Sequence, residues 1–409
     1  MNITLIHPTS PFLLNQTVFP PLGILYLASH LKQHGHGVKC IDLGLNPEFK
    51  AEIGVLAESE IVGVSFTSAQ RFEAFTIAKT LSAAGKVVIA GGAHATHAPQ
   101  DCLNAGFDVV IKGEGELPLL HFMNNPHVRG ILEVDDFTDI NAQQFPDRKL
   151  LPIRDYKYML DDEFCTVLMS SRGCPFHCSF CARVTKHYRA QHAFRTVAEM
   201  LHLREHYGYK ALMFFDDVFT LDQERLRTIA KLLDISGENG KFKIRCFSRT
   251  NLLSPETVSL LKTIGVVEVG LGVESGSNTI LSQNLKGTTT GLNTRAVKLL
   301  QQHGIRAKAF LIVGLPGETE ETVCETEQWI KEAQPDDIDV SVLQPYPGSG
   351  LYDDPAAWGI EFDKQSLSFY KGTPGQYTST VRTKCLSPEQ IVNFRDELET
   401  KYKRKELLR

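Results

Sequence analysis

Thr166-Val167-Leu168-Met169-Ser170-Ser171-Arg172-Gly173-Cys174-Pro175-Phe176-His177-Cys178-Ser179-Phe180-Cys181 opens as an apolar strand and closes as a loop dense in thiols. Three of the nine cysteines fall within it, in C-x3-C-x2-C spacing. An odd, otherwise scattered set is not a disulfide framework. In a reducing compartment, three thiolates on one loop are suited to metal. They can hold three irons of a [4Fe–4S] cube and leave the fourth iron open. A zinc site would need a fourth ligand, His177 or something distant, and a buried, unligated trio is the other alternative. Both remain open on spacing alone.

Outward from that loop, short strands alternate with helical patterns. Thr166–Ser170, Ala211–Phe215, Lys243–Phe247, Val266–Val273, Ala307–Val313 and Ile338–Leu343 read as six strands. Thr196 with Glu199 reads as a capping box. Ser254-Pro255-Glu256 reads as an N-cap, an N1 proline and an acidic first turn, with Gly265 as the stop. Strand–helix alternation of this kind predicts parallel pairing. Residues 161–350 are therefore expected to form a partial (β/α)6 barrel, with its chemistry at the carboxyl ends of the strands.

Residues 1–125 alternate in the same way, with strands at Ile3–Ile6, Val38–Leu43, Ile61–Phe66, Val87–Ala90 and Val109–Ile111. The expectation is an α/β, Rossmann-like parallel sheet. No G-x-G-x-x-G follows its first strand, which argues against a dinucleotide site. A long apolar loop with Phe12, Leu13, Leu14 and Phe19 stands there instead and suits a broad, flat ligand. Small polar residues mark the strand ends: Thr67, Ser68, Gly91, Gly92, His94, Thr96 and Glu114. Residues 126–160 lack periodicity and read as a linker. Residues 351–409 read as a short C-terminal segment ending in a charged helix.

Length and composition agree. At roughly 150 residues per domain, 409 residues make two domains, or two with a tail. A net charge of −5 without a basic tract disfavours a nucleic-acid partner. No apolar run reaches the roughly 18 residues of a membrane span. The first residues are a strand pattern and not a signal peptide, so a cytoplasmic protein is expected.

The cysteine spacing, with an aromatic before the last cysteine and a following βα series, resembles the radical S-adenosylmethionine superfamily. Phe214-Phe215-Asp216-Asp217, Ser248-Arg249-Thr250, Gly270-Leu271-Gly272-Val273-Glu274-Ser275-Gly276 and Ile312-Val313-Gly314-Leu315-Pro316-Gly317-Glu318 agree with it. Pro20-Pro21-Leu22-Gly23, Gly91-Gly92-x-His94-x-Thr96 and Gly113-Glu114-Gly115-Glu116 resemble the cobalamin-binding domain of its cobalamin-dependent class.

The resemblance implies three cofactors: a [4Fe–4S] cluster, S-adenosylmethionine and cobalamin. It assigns Cys174, Cys178 and Cys181 to the cluster. It assigns Asp216 and Asp217 to the amine of S-adenosylmethionine, Arg249 to its carboxylate and Glu274 to its ribose or amine. Phe180 and the strand Ile312–Gly314 would border the adenine, and Tyr346 would close the pocket. Thr67, Ser68, Gly91, Gly92, His94, Thr96 and Glu114 would hold cobalamin. The family motif D-x-H-x-x-G is absent, so no histidine is expected beneath the cobalt.

The reaction implied is methylation of an unactivated carbon of a small molecule or peptide, with an external one-electron reductant. Radical rearrangement or cyclisation, transfer of the 3-amino-3-carboxypropyl group, and a non-catalytic sensor are the alternatives.

Overall fold

The computed structural model describes residues 1–46, 59–366 and 377–404. The chain divides into two compact units, one of residues 1–158 with 183–185 and one of 159–182 with 186–409.

In the first unit, strands β1 (Asn2–His7), β2 (Gly37–Asp42), β3 (Ile61–Ser65), β4 (Val87–Gly91), β5 (Val109–Lys112) and β6 (Gly130–Glu133) form one sheet. Its order is β2-β1-β3-β4-β5-β6 and every pairing is parallel. The central strands are continuous apolar runs such as Ile61-Val62-Gly63-Val64 because helices cover both faces of a parallel sheet. Ile6, Val62, Val64, Val88, Ala90 and Val110 pack in one core with Ala74, Ile77 and Leu81 of the helix Arg71–Ala83.

The stretch read as a linker is largely part of this unit. It supplies β6 and then a strap along the first helix, Leu22–Gln33. The Ser29 hydroxyl donates to the Phe145 carbonyl at 3.0 Å and accepts from the Asp147 N–H at 2.7 Å. The Tyr156 hydroxyl donates to Asp42 at 2.5 Å. Edge strand β6 is four residues long with Ile131 exposed, so no apolar periodicity announces it.

The second unit starts with β7 (Met159–Leu160) and β8 (Glu163–Leu168), then a small hairpin of β9 (Ser171–Arg172) and β10 (Arg189–Ala190). It continues through β11 (Ala211–Phe214), β12 (Lys243–Ser248), β13 (Val266–Glu274), β14 (Arg306–Val313) and β15 (Asp337–Val342). The sheet order β15-β14-β13-β12-β11-β8-β7 follows the chain. All pairs are parallel except β7–β8, which makes the open half-barrel of six parallel strands.

Along β14, Ala307, Ala309, Leu311 and Val313 are buried in the large core under the helices. The alternate residues are half-buried, as the two-residue period of a strand requires. Those alternate positions carry charge near the strand starts. Arg245 and Arg306 pair with Glu268, at 3.0 and 3.3 Å, and Lys308 with Asp337 at 2.9 Å.

Helix starts were partly legible. Ser254 caps Pro255–Ile264 by accepting from the Thr257 N–H, and Gly265 ends that helix. The Thr196–Glu199 box is not formed. That helix begins three residues earlier, at Ala193, and Thr196 is buried inside it, accepting from Arg225 Nη2 at 3.1 Å. The 351–409 segment contributes the hairpin β16 (Ile360–Phe362) and β17 (Val381–Thr383), then the helix Pro388–Tyr402. Buried Arg395 on that helix donates to the Val340 carbonyl of β15 at 3.0 Å. The helix thereby covers the edge strand, the usual way to protect unpaired backbone.

Candidate functional site

In the first unit the small polar residues gather at the carboxyl ends of β3, β4 and β5. Their loops are laced together. The Phe66 N–H donates to the Gly91 carbonyl at 3.1 Å. The Thr96 hydroxyl donates to the Gly92 carbonyl at 2.9 Å and accepts from the Gly113 N–H at 3.1 Å. Gly92 sits at φ +93, and a Cβ there would lie 2.6 Å from the Phe66 oxygen, so only glycine lets the two loops meet. Thr67 is exposed and caps the next turn with Gln70.

His94 turns inward. It is 1 % exposed, beside Phe66 and Phe75, with Nδ1 2.9 Å from the buried Ser68 hydroxyl. Burial lowers its pKa to about 4, leaving it neutral. Ser68, His94 and Thr96 thus serve the packing of the loops. The backbone at Gly91 and Gly113 has room beside it, since nothing lies within 4 Å of a Cβ built at either glycine; exposed Thr67 and half-buried Glu114 stand on the same set of loops. Such a surface of backbone and small side chains fits the face of a corrin without an imidazole ligand.

In the second unit the cysteine loop is fixed at both ends. At its start, buried Asp216 accepts from the Ser170 N–H, the Ser170 hydroxyl and the Ser171 hydroxyl, each at 2.7 Å. Both oxygens expected to receive an amine are therefore engaged by the strand leading into the loop, while neighbouring Asp217 is exposed. At its end, the Ser179 N–H and hydroxyl donate to the carbonyl and the Oδ1 of buried Asn284, both at 3.2 Å. The Leu351 N–H donates to the Ser179 carbonyl at 3.3 Å.

Cys178 is buried and Cys174 and Cys181 half-buried. A hydrogen bond from Cys181, with the Lys286 and Arg249 charges nearby, holds the Cys178 thiol well below the usual thiol range. Burial instead pushes Cys40, Cys102 and Cys165 up to about 12, so those thiols are inert core residues. As placed, no three His, Cys, Asp or Glu side chains among the described residues form a group that could hold a metal ion. Three thiols on one loop, with the Lys286 and Arg249 charges beside Cys178, suit an anionic multi-iron cluster, one iron per thiolate.

Glu274 ends β13 at φ +68, where the register with β14 shifts. A non-glycine residue in the left-handed region is strained by about 1–3 kcal/mol and persists where the surroundings over-determine it. Here they do. The Glu274 carboxylate accepts from the Lys286 ammonium at 2.7 Å, and both groups are buried. A Cβ on Gly272 would come within 2.6 Å of Glu274 Oε1 and 2.8 Å of Lys286 Nζ, so the glycine makes space for the pair.

Phe180, Glu274, Phe310, Ile312, Gln344 and Tyr346 line a cavity of about 230 Å³. Four of these were singled out in the sequence. Lys286 was not, because it stands in a loop twelve residues beyond Glu274 and nothing in its spacing marks it.

Gly314, at φ +97, serves a turn. Its N–H donates to Glu318 at 2.6 Å, and it packs on Ile391 of the C-terminal helix. Burial pushes the Glu318 carboxyl from 4.5 up to about 8, against the N–H bonds from Gly314 and Leu315. Folded Glu318 therefore keeps a proton that the unfolded chain has released between those values. Stability from this group is full below the unfolded pKa and falls as pH rises through that window. Glu318→Gln is expected to flatten the melting temperature between pH 5 and 8, where the parent chain declines. Thermal unfolding across that range checks it; parallel profiles for the two chains would contradict it.

A family model described as the radical SAM superfamily matches residues 168–330, and one described as the B12 binding domain matches 16–122. An uncharacterised methyltransferase of Pyrococcus horikoshii, PH0819, is 31% identical over 383 residues, covering 86% of this chain and 83% of its own. The anaerobic magnesium-protoporphyrin IX monomethyl ester cyclase of Cereibacter sphaeroides is 26% identical over 386 residues, covering 86% of this chain and 63% of its own. The solved radical S-adenosylmethionine methyltransferase TsrM of Kitasatospora setae, with cobalamin and a [4Fe–4S] cluster bound, superposes with TM-score 0.73. That match is 18% identical and covers 95% of this chain and 84% of TsrM.

Proposed function

This chain belongs to the cobalamin-dependent radical S-adenosylmethionine family, and on that premise we propose that it methylates an unactivated carbon of a small molecule or peptide. When bound, the cluster supplies one electron for cleaving the S-adenosylmethionine sulfonium, and cobalamin supplies the methyl group.

The observation that carries the reading is the convergence at the mouth of the half-barrel. The three-thiol loop, the strained Glu274, its partner Lys286 and a cavity walled by Phe180 and Ile312 all lie at carboxyl ends of its strands. Cys174, Cys178 and Cys181 would hold the cluster. Glu274 would bind the amine of S-adenosylmethionine and Lys286 its carboxylate, each through a charge-assisted hydrogen bond. Exposed Asp217 is a second candidate for the amine. Phe180, Ile312 and the Gly314 backbone would border the adenine, and Tyr346 the pocket rim. In the first unit, Thr67, Gly91 and Glu114 would meet the corrin. Gly92, Ser68, His94 and Thr96 would hold its loops in shape. Glu274 and Lys286 are themselves buried, which strengthens these charged contacts.

Ring formation without methyl transfer is the second reading, favoured by the likeness to the ester cyclase. Anaerobic incubation of the reconstituted protein with S-adenosylmethionine and a low-potential reductant separates the two. Methyl transfer is expected to yield 5′-deoxyadenosine together with S-adenosylhomocysteine, read by mass spectrometry. 5′-Deoxyadenosine alone, with substrate and a corrinoid present, would favour ring formation. Methylthioadenosine would contradict both readings.

A further inference from the structure

We infer that Arg249 is a positioning residue of the cluster, donating to the Cys178 sulfur and setting the ease with which the cluster accepts its electron. The inference rests on the cluster reading above. Arg249 follows β12 and is 6 % exposed. Its nitrogens have separate partners. Nη1 donates to Cys178 Sγ at 3.2 Å, Nη2 to the Lys286 carbonyl, and Nε to Asn251 Oδ1 at 3.4 Å. The guanidinium carbon lies 3.8 Å from the Phe176 ring centroid. Phe176 and Cys178 both belong to the cysteine loop, so one arginine grips that loop by a ring face and by a sulfur.

That grip differs from the carboxylate-binding role implied by the family resemblance. Three of its five N–H donors, one on each nitrogen, are already committed inside the protein. Lys286, whose Nζ faces the cavity residue Glu274, stands better for that task. Among the described residues no carboxylate forms an ion pair with Arg249, so its charge is not cancelled before it reaches the sulfur.

Reduction adds negative charge to a cluster already bound by three thiolates. A cation hydrogen-bonded to one thiolate stabilises the reduced form more than the oxidised one and raises the potential, as hydrogen bonds to cluster sulfurs do. Burial leaves the interaction poorly screened.

The test is a redox titration of the full chain, reconstituted anaerobically and followed by electron paramagnetic resonance without S-adenosylmethionine. Arg249→Met keeps the stem and removes the donors. It is expected to hold about four irons, as the parent does. At any fixed poise its reduced-to-oxidised ratio should be about tenfold lower, which for one electron is a midpoint about 59 mV more negative. Phe176→Leu loosens the same grip and should shift the midpoint in the same direction by less. It supplies the measurement if Arg249→Met does not fold. An unchanged midpoint in iron-loaded Arg249→Met, or in Phe176→Leu should the former fail, would overturn the inference. So would weaker S-adenosylmethionine binding with no change in midpoint, the signature of a carboxylate ligand. A parent chain that takes up no iron would instead sink the cluster reading itself.

Discussion

Replacing Cys178 by alanine is expected to remove the iron–sulfur centre and all cleavage of S-adenosylmethionine. Cys178 is the most enclosed of the three loop thiols, and it is the sulfur on which Cys181 and Arg249 converge. Without it the loop offers two thiolates, and a cube held at three irons cannot be kept by two. The buried charge of Arg249 would also lose its sulfur partner, so the loop itself should loosen. The parent should carry about four irons with matching sulfide and the broad visible absorbance of such a centre, and the variant neither. Cys40→Ala is the control, since that thiol is a buried core residue of the first unit. Stoichiometric zinc with no iron–sulfur absorbance in anaerobically handled parent protein would defeat this expectation.

Asp216→Ala is expected to cost about 4 kcal/mol of stability in the second unit and to lower iron uptake with it. The carboxylate is 1 % exposed and satisfies three donors on Ser170 and Ser171. Each buried donor left without an acceptor costs about 1–3 kcal/mol. Cooperative losses above about 4 kcal/mol mark a broken buried network. Asp216→Asn keeps the shape and one acceptor and should cost less than half as much, because a serine hydroxyl can turn to accept from the new amide. Denaturant unfolding and iron content, measured together, check this. If Asp216→Ala keeps full stability and iron but binds S-adenosylmethionine weakly, the carboxylate is a ligand and not a brace.

Much of the fold was legible because its strands are marked twice, by apolar runs and by the turn residues that end them. The six half-barrel strands lie within a few residues of where the pattern places them. β6 was missed because an edge strand of four residues, half-exposed, has too little apolar surface to show a period. The start of Ala193–Tyr207 was misplaced because Thr-x-x-Glu is a capping box only when the threonine lies outside the helix; here it is buried under Arg225.

Within the site, Phe180, Glu274, Ile312 and Tyr346 were legible because a parallel sheet sends its strand ends to one mouth, so residues at strand ends meet by topology. Lys286 and Asn284 were not. They enter the site through a loop whose path depends on Leu285 and Gly287, both at positive φ, and on bonds to other segments.

The sequence by itself determined the class of the protein, two parallel α/β units and one loop of three thiols, because periodicity and spacing are local properties of a chain. Which polar groups face a ligand and which face each other was decided only by tertiary structure. Asp216 reads from the sequence as a free carboxylate at a strand end and is spent on two serines from the neighbouring strand's exit. Arg249 reads as a ligand's clamp and grips the loop. His94 reads as a residue that would hold cobalamin and is packed among aromatic rings. In each case a hydrogen-bond partner lies 26 to 71 residues away in the chain. A hydrogen bond made inside the protein and one held open for a ligand require the same residue at the same strand end, so only the position of the distant partner separates them.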